Sequence, residues 1–125
     1  MGTWHEKWFG FWRAAGDEDR NLPLLSEWVD TTWNPPDKTE LARYVAKAPI
    51  ILASGTTKAP CPMCSTMLST SDYQSDGDWL WPVDLSHYVS EHGVRIPDEL
   101  VLHIRGRGHE PPKRVDMDIS QYPWP

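Results

Sequence analysis

Residues 61–92 read CPMCSTMLSTSDYQSDGDWLWPVDLSHYVSEH and contain both cysteines of the chain and two of its five histidines. Written as a pattern, this stretch is C-x2-C-x22-H-x4-H. Two thiolates and two imidazoles form a common tetrahedral zinc set, and the spacing within each pair falls in the range of zinc fingers. We therefore predict one structural Zn²⁺ ion bound by Cys61, Cys64, His87 and His92.

The local patterns between Cys61 and Gly93 predict a knuckle, a hairpin and a helix in that order. Prolines flank Cys61 and favour a tight turn around the first thiol. Asp76-Gly77 is typical of a hairpin turn, and Trp79–Trp81 is the expected returning strand. A helix over 83–92 then ends at Gly93, a residue that favours helix C-termini. The sequence thus predicts an enlarged ββα-like zinc module.

The spacing of the two histidines limits how both can bind the metal. His87 and His92 are five residues apart, so on a regular helix their side chains point about 140° apart. Both can face one ion only if the helix ends or distorts close to His92. We therefore expect His92 to be the weakest ligand, with His103 or His109 as alternatives and with a milder effect on replacement.

Three other interpretations of the cysteines stay open at this point. The apolar segment before CPMC resembles the strand-then-CPxC entry of glutaredoxins, which implies a thiol-disulfide oxidoreductase with Cys61 as nucleophile and Cys64 as resolving thiol. A redox motif opens a helix, however, and residues 65–73 are poor in helix formers. The cysteines could also be an ordinary buried pair, or catalytic zinc ligands together with His87 and a water. Four protein ligands leave no position for water, so an enzyme is the less favoured outcome.

A longer block carries a resemblance to a known family. After the CxxC the chain reads W-P-x-x-L-x-H-Y-V-x-x-H-x-V-x-x-P-D-E from Trp81 to Glu99. This block resembles a family of small uncharacterised bacterial proteins, over about residues 61–102. The resemblance implies a metal-bound fold in a bacterial or phage setting, and it implies no catalytic activity.

At 125 residues the chain is predicted to form one α+β domain. We expect a mainly helical, tryptophan-rich part over 1–60, a zinc-binding module over 61–104, and an irregular, proline-rich, extended tail over 105–125. The N-terminal helices should pack on the zinc module. Eight tryptophans are unusual for this length, and they serve either as large core side chains or as an aromatic binding surface.

Periodicity predicts the elements outside the zinc module. Four aromatics at i, i+4, i+7 and i+8 predict an N-terminal amphipathic helix that ends at Gly16; they are Trp4, Trp8, Phe11 and Trp12. Residues 24–29 are expected to form a short helix. A capping box of Asp37 and Glu40 should open a helix over 37–48, followed by a buried strand over 50–53. A further helix, or alternatively a strand, begins at Pro97.

The charge distribution argues against DNA and leaves two other partners. The net charge is −6, and residues 61–102 hold seven Asp or Glu against one Arg. The predicted helix 83–92 has no Lys or Arg, so a phosphate backbone should repel it. RNA remains a candidate partner through the basic side chains near the C-terminus, which are Arg105, Arg107, Lys113 and Arg114.

The sequence therefore favours a non-enzymatic zinc protein that acts as a protein-interaction, inhibitory or regulatory module. Its partner would be another protein, contacted through the acidic or the aromatic surface. Redox catalysis by CPMC and RNA binding by the basic tail are the alternatives. The start of the chain lacks a signal-peptide pattern, and its longest apolar run, over 48–53, is too short to span a membrane. We expect a cytoplasmic location.

Overall fold

A computed structural model describes residues 8–12, 24–53, 58–69 and 72–115 of the chain. Helices and small antiparallel sheets occur together in these residues, which confirms the predicted α+β class. In chain order the elements are a short 3-10 helix at Leu25–Trp28, then α1 (Lys38–Lys47), β1 (Ile50–Ala53), β2 (Lys58–Pro60), β3 (Met67–Ser69), β4 (Asp72–Ser75), β5 (Leu80–Pro82), α2 (Leu85–His92) and α3 (Asp98–Gly106).

The strands form two separate antiparallel sheets. One sheet has the order β1-β4-β5, and the other is the β2–β3 hairpin with CPMC at its tip. The predicted turn at Asp76-Gly77 does join β4 to β5, and Gly77 adopts a φ of 96° that favours glycine. The chain therefore differs from a simple ββα finger, because the cysteines lie on a hairpin of their own ahead of the β4–β5 hairpin and α2.

Three amphipathic helices enclose the core. Each helix buries three residues that share one face: Leu41, Tyr44 and Val45 of α1, Leu85, Tyr88 and Val89 of α2, and Leu100, Val101 and Ile104 of α3. The Trp81 ring of β5 is fully buried among them, and its Nε1 donates to the Val45 carbonyl at 3.1 Å. The bond satisfies the one polar atom of this large side chain.

A buried carboxylate ties the helices to the β4–β5 turn. Asp76 is 1% exposed, and its Oδ1 accepts the backbone N–H groups of Asp78 and Trp79 at 3.0 and 2.8 Å. Its Oδ2 accepts the Tyr44 hydroxyl and lies 2.9 Å from His103 Nε2. Burial and this carboxylate together raise the pKa of Tyr44 well above its ordinary value. Tyr44 of α1 and His103 of α3 thus meet at one carboxylate.

The predicted N-terminal helix is wrong where the structure describes it. Residues 8–12 are not helical: Trp8 bridges to Leu80, and Phe9 N–H donates to the Leu80 carbonyl at 3.0 Å. Gly10 lies in this segment at a φ of 93°, and a Cβ there would meet Pro82 Cδ at 3.1 Å. A helix is incompatible with this φ and with pairing along β5. The rest of the predicted helix lies outside the described residues.

Three local expectations are also corrected. Helix α1 begins as predicted, but Asp37 makes no side-chain cap bond. Its carboxylate instead accepts two hydrogen bonds from Arg105, one from Nε and one from NH2, each at 2.9 Å. Strand β1 is only half-buried, with Ile50 56% exposed. The predicted extended tail begins later than residue 105, because α3 runs to Gly106, and residues 107–115 have no regular structure.

Candidate metal centre

The turn between β2 and β3 forms a knuckle around the first thiol. Cys61 N–H donates to the Thr66 carbonyl at 2.7 Å, and Ser65 N–H donates to the Cys61 carbonyl at 2.8 Å. The Met63 N–H points at Cys61 Sγ, 3.4 Å away. Ser65 takes the left-handed conformation that reverses the chain, with a φ of 66°. Main-chain amides directed at sulfur stabilise a thiolate, which is the ligand form of cysteine.

Helix α2 supplies the two histidines and ends directly after the second. Gly93 adopts a φ of 68°, and both its N–H and that of Val94 donate to the Tyr88 carbonyl. This is a Schellman-type ending, with Val94 fully buried beyond it. Because the helix stops here, His92 can turn back toward His87 despite the five-residue spacing.

The four side chains converge with the dimensions of a tetrahedral zinc site. One ligand atom of each lies within 4.8 Å of all the others. Cys61 Sγ is 3.5 Å from His92 Nε2, Cys64 Sγ is 3.3 Å from His87 Nε2, and the two Nε2 atoms are 3.2 Å apart. Ideal tetrahedral bonds to Zn²⁺ would place sulfur and nitrogen about 3.5 Å apart and two nitrogens about 3.3 Å apart. The residues present therefore fit a metal ion of this kind.

Electrostatics at the exposed thiol also favour a metal ligand. The Thr66 side chain, 3.2 Å from Cys64 Sγ, and the Thr66 amide lower the pKa of Cys64 to about 6, and the neighbouring imidazoles act in the same direction. Cys64 is exposed and Cys61 is 2% exposed, so the centre has one buried and one accessible sulfur. A thiolate at neutral pH needs no proton loss to bind a cation.

All four predicted ligands meet at this centre, and the two alternative histidines do not. His103 lies against Asp76, and His109 Nε2 lies 2.8 Å from Asp37 Oδ2. His92 reaches the centre despite its spacing, since its sulfur contact of 3.5 Å is only slightly longer than the 3.3 Å contact of His87. No helix follows Cys64, where a redox motif would open one; the chain continues into β3 instead.

A second group of chelating side chains was missed by sequence reasoning. Asp76, Asp78 and His103 also bring ligand atoms within 4.8 Å of one another. Arg107 occupies the outer side of this group, with NH2 donating to Asp78 Oδ2 at 3.0 Å and Nε to His103 Nε2 at 3.3 Å. A fixed guanidinium at this distance repels a second cation, so the group acts as a structural ion-pair network. Its members are up to 31 residues apart and show no local pattern.

The predicted RNA-binding residues are partly engaged within the protein. Arg105 forms a two-pronged ion pair with Asp37, and Arg107 pairs with Asp78. Phosphate binding through these two guanidinium groups would compete with the ion pairs.

Comparison with known proteins returned no match to the chain among family models, curated proteins or solved structures. The resemblance over residues 61–102 accordingly stays an expectation. Within the part of the chain that the structure describes, no helix has the length and apolar character needed to cross a membrane.

Proposed function

We propose that this protein is a non-enzymatic module whose fold is completed by one structural Zn²⁺ ion and whose surface binds another protein. The zinc would be held by Cys61 and Cys64 of the knuckle and by His87 and His92 of α2. It would fasten the β2–β3 hairpin to the helix. The role of the ion is to hold four side chains in place, and the role of the surface is recognition.

One observation carries the zinc assignment. The three short distances between the four donor atoms agree with a tetrahedral S2N2 site to within about 0.2 Å. Such a soft, mixed sulfur and nitrogen donor set at tetrahedral spacing favours zinc over the oxygen-seeking cations Mg²⁺ and Ca²⁺.

The donor count supports a structural ion over a catalytic one. Four protein ligands fill the coordination sphere and leave no position for a water or a substrate. Cys64 is the exposed ligand, so it is the site at which an incoming group would have to displace a protein side chain.

The zinc assignment is tested by metal content and coordination. Native mass spectrometry of protein purified without chelator should show one zinc per chain. Replacement by Co²⁺ should give the visible absorption of a tetrahedral ion with two thiolate ligands. His109→Ala is the matched control, because this histidine lies outside the centre and its loss should leave both results unchanged. An octahedral cobalt spectrum, or an unchanged zinc stoichiometry in His92→Ala, would refute the assignment.

The interaction role is supported by charge. Residues 61–102 carry seven acidic side chains against one arginine, and the acids outside the core include Asp78, Glu91, Asp98 and Glu99. An acidic surface of this kind attracts a basic partner and occupies basic sites, such as those of nucleic-acid-binding proteins. Affinity capture from the cells of origin should recover a basic protein in a salt-sensitive manner. Recovery of no partner at low salt would refute this role.

A further inference from the structure

A cavity of about 650 Å³ opens in the part of the molecule away from the metal ligands, and its walls are largely aromatic. Its size lies in the range of small-ligand sites in proteins, about 300–1,000 Å³. Five rings line it among the described residues: Trp8, Phe9, Phe11, Trp28 and Trp79. The segment 8–12, which was expected to be a helix, supplies three of them in an extended conformation.

The rings adjoin one another nearly at right angles. Trp8 and Phe11 have centroids 5.8 Å apart and planes at 89°, and Phe9 and Trp28 have centroids 5.0 Å apart and planes at 74°. Perpendicular rings can form neighbouring walls of a box. Aromatic cages built in this way bind protonated or methylated amines, because the negative faces of the rings attract a cation.

The polar residues around the cavity are mainly acidic. Four carboxylates, Glu27, Asp30, Asp98 and Glu99, line it together with Arg95. Arg95 NH2 donates to Asp98 Oδ1 at 3.0 Å, so these two formal charges offset one another, and Asp30 and Glu99 add negative charge at the cavity. Asp98 and Glu99 also lie in the first turn of α3, where acids stabilise a helix. Glu27 Oε1 accepts the Leu24 N–H at 3.3 Å, and Asp30 Oδ1 accepts the Thr32 N–H and hydroxyl at 3.0 and 2.6 Å, so these two carboxylates also have structural roles.

Two hydrogen-bond donors belong to residues of the cavity wall and have no partner in residues 8–12, 24–53, 58–69 and 72–115. They are Trp8 Nε1 and Arg95 Nε, both buried at the atom itself. An unsatisfied buried donor destabilises the protein, so a ligand that supplies acceptors gains binding energy here. A free amine has no acceptor to offer, whereas a peptide offers main-chain carbonyls.

We propose that this aromatic, acid-rimmed cavity binds a lysine-containing peptide segment of a partner protein. The aliphatic stem of a lysine would pack on the rings, its ammonium would face the carboxylates, and the peptide carbonyls would meet the unpartnered donors. The inference rests on the proposed interaction role and specifies its surface and partner chemistry. It is independent of the zinc assignment.

The test uses the full chain in its metal-loaded form and one short probe, acetyl-Gly-Lys-Ala-Lys-Gly amide, in calorimetric titrations. The matched probe is the same peptide with both lysines acetylated, which removes the charge and keeps the length. We expect the acetylated probe to bind about tenfold more weakly, and the binding of the lysine probe to weaken with added salt. Butylammonium chloride serves as a free amine and should bind more weakly than the peptide.

Two charge variants locate the site. Asp98→Asn with Glu99→Gln removes two charges from the cavity, and Glu40→Gln with Glu110→Gln removes two charges that do not line it. The first pair should weaken the lysine probe by about three- to tenfold, and the second pair by less than about twofold. Equal binding of the lysine and acetyl-lysine probes, absence of binding at millimolar concentration, or equal effects of the two variants would overturn the proposal.

Failure of this proposal can be separated from failure of the proposed function. Zinc content is measured on the same samples, and cellular capture is repeated with both charge variants. A basic partner retained equally by both variants leaves the interaction role intact and overturns the cavity as its site. A tightly folded protein that contains no zinc would refute the metal assignment, irrespective of whether the peptide probe binds. Butylammonium binding as tightly as the peptide would assign the cavity to a small amine and overturn the peptide proposal.

Discussion

Removal of the metal should open the β2–β3 knuckle while the helical core stays folded. In the metal-free protein, no cation holds together the two cysteine sulfurs and the two imidazoles, whose ligand atoms lie within 4.8 Å of one another. The side chains of Met63 and Met67 on the hairpin are 46% and 59% exposed, so they contribute little to packing. The knuckle therefore depends on the ion in a way that α2 does not.

The free energies of ordering, burial and zinc binding support an opening of the knuckle while the helical core stays folded. Fixing the backbone of segment 58–69 costs about 12 kcal/mol or more, at about 1 kcal/mol per residue. Its buried apolar groups are Cys61 and the half-buried Leu68, which together contribute about 2–4 kcal/mol. Zinc binding in small domains supplies about 10 kcal/mol or more. Helix α2, by contrast, keeps Leu85, Tyr88 and Val89 in the core with or without metal.

Hydrogen exchange read by mass spectrometry or NMR is the assay. The amides of Cys61 and Ser65, which donate within the knuckle, should lose nearly all protection after chelation. The Tyr88 amide, which donates to the Asp84 carbonyl at 3.3 Å, should keep most of its protection. If the knuckle amides exchange at the same rate with and without chelator, the metal does not hold the hairpin and the structural role is refuted.

Three further predictions concern single side chains. In the metal-free protein the opened knuckle should lose the Thr66 and imidazole contacts that lower the pKa of Cys64 to about 6, so alkylation of Cys64 should be half-maximal near the ordinary thiol pKa of about 8.5; a midpoint near pH 6 would show that the knuckle stays closed without metal. Hydrogen bonds from an arginine and a histidine hold the pKa of Asp37 below its ordinary value, so Asp37→Asn should cost about 1–3 kcal/mol of unfolding free energy at pH 7. Because a depressed pKa stabilises only while the group is ionised, the difference should begin to shrink below about pH 4 in acid melts and keep shrinking until the pH falls below the depressed folded-state pKa, and a constant difference would be inconsistent with it. In chelator competition, His92→Ala should lower the zinc affinity as much as His87→Ala does. If His92→Ala binds zinc about tenfold more tightly than His87→Ala, His92 is the weaker ligand that the five-residue spacing predicts.

The metal centre could be predicted from sequence because its chemistry depends on residue type and short-range spacing. A CxxC turn between prolines brings two sulfurs together, and a helix ending at Gly93 brings two imidazoles together. Both signals are local, and the structure contains both. The separate β2–β3 hairpin could not be predicted, since strands of three residues leave too short a pattern to identify.

The sequence predictions were wrong where residues distant in the chain decide the local conformation. The aromatic period around Trp8 fits a helix, yet Phe9 pairs with Leu80, more than seventy positions along the chain. Asp37 matches a capping box, yet its carboxylate is taken by Arg105. An ion pair to a guanidinium is stronger than a neutral cap bond, so the distant partner wins. Single-sequence patterns contain no information about either partner.

Two donors at the aromatic cavity lack the hydrogen bonds that several core polar groups make. The core satisfies its polar groups, as Asp76, Gln74 and Trp81 illustrate with hydrogen bonds to neighbouring helices and turns. Among the described residues, buried atoms without a partner include Trp8 Nε1 and Arg95 Nε at the aromatic cavity. A native fold rarely leaves such donors unpaired without compensation. A bound peptide would supply acceptors for both donors, so ligand binding at the cavity would remove the cost of leaving them unpaired.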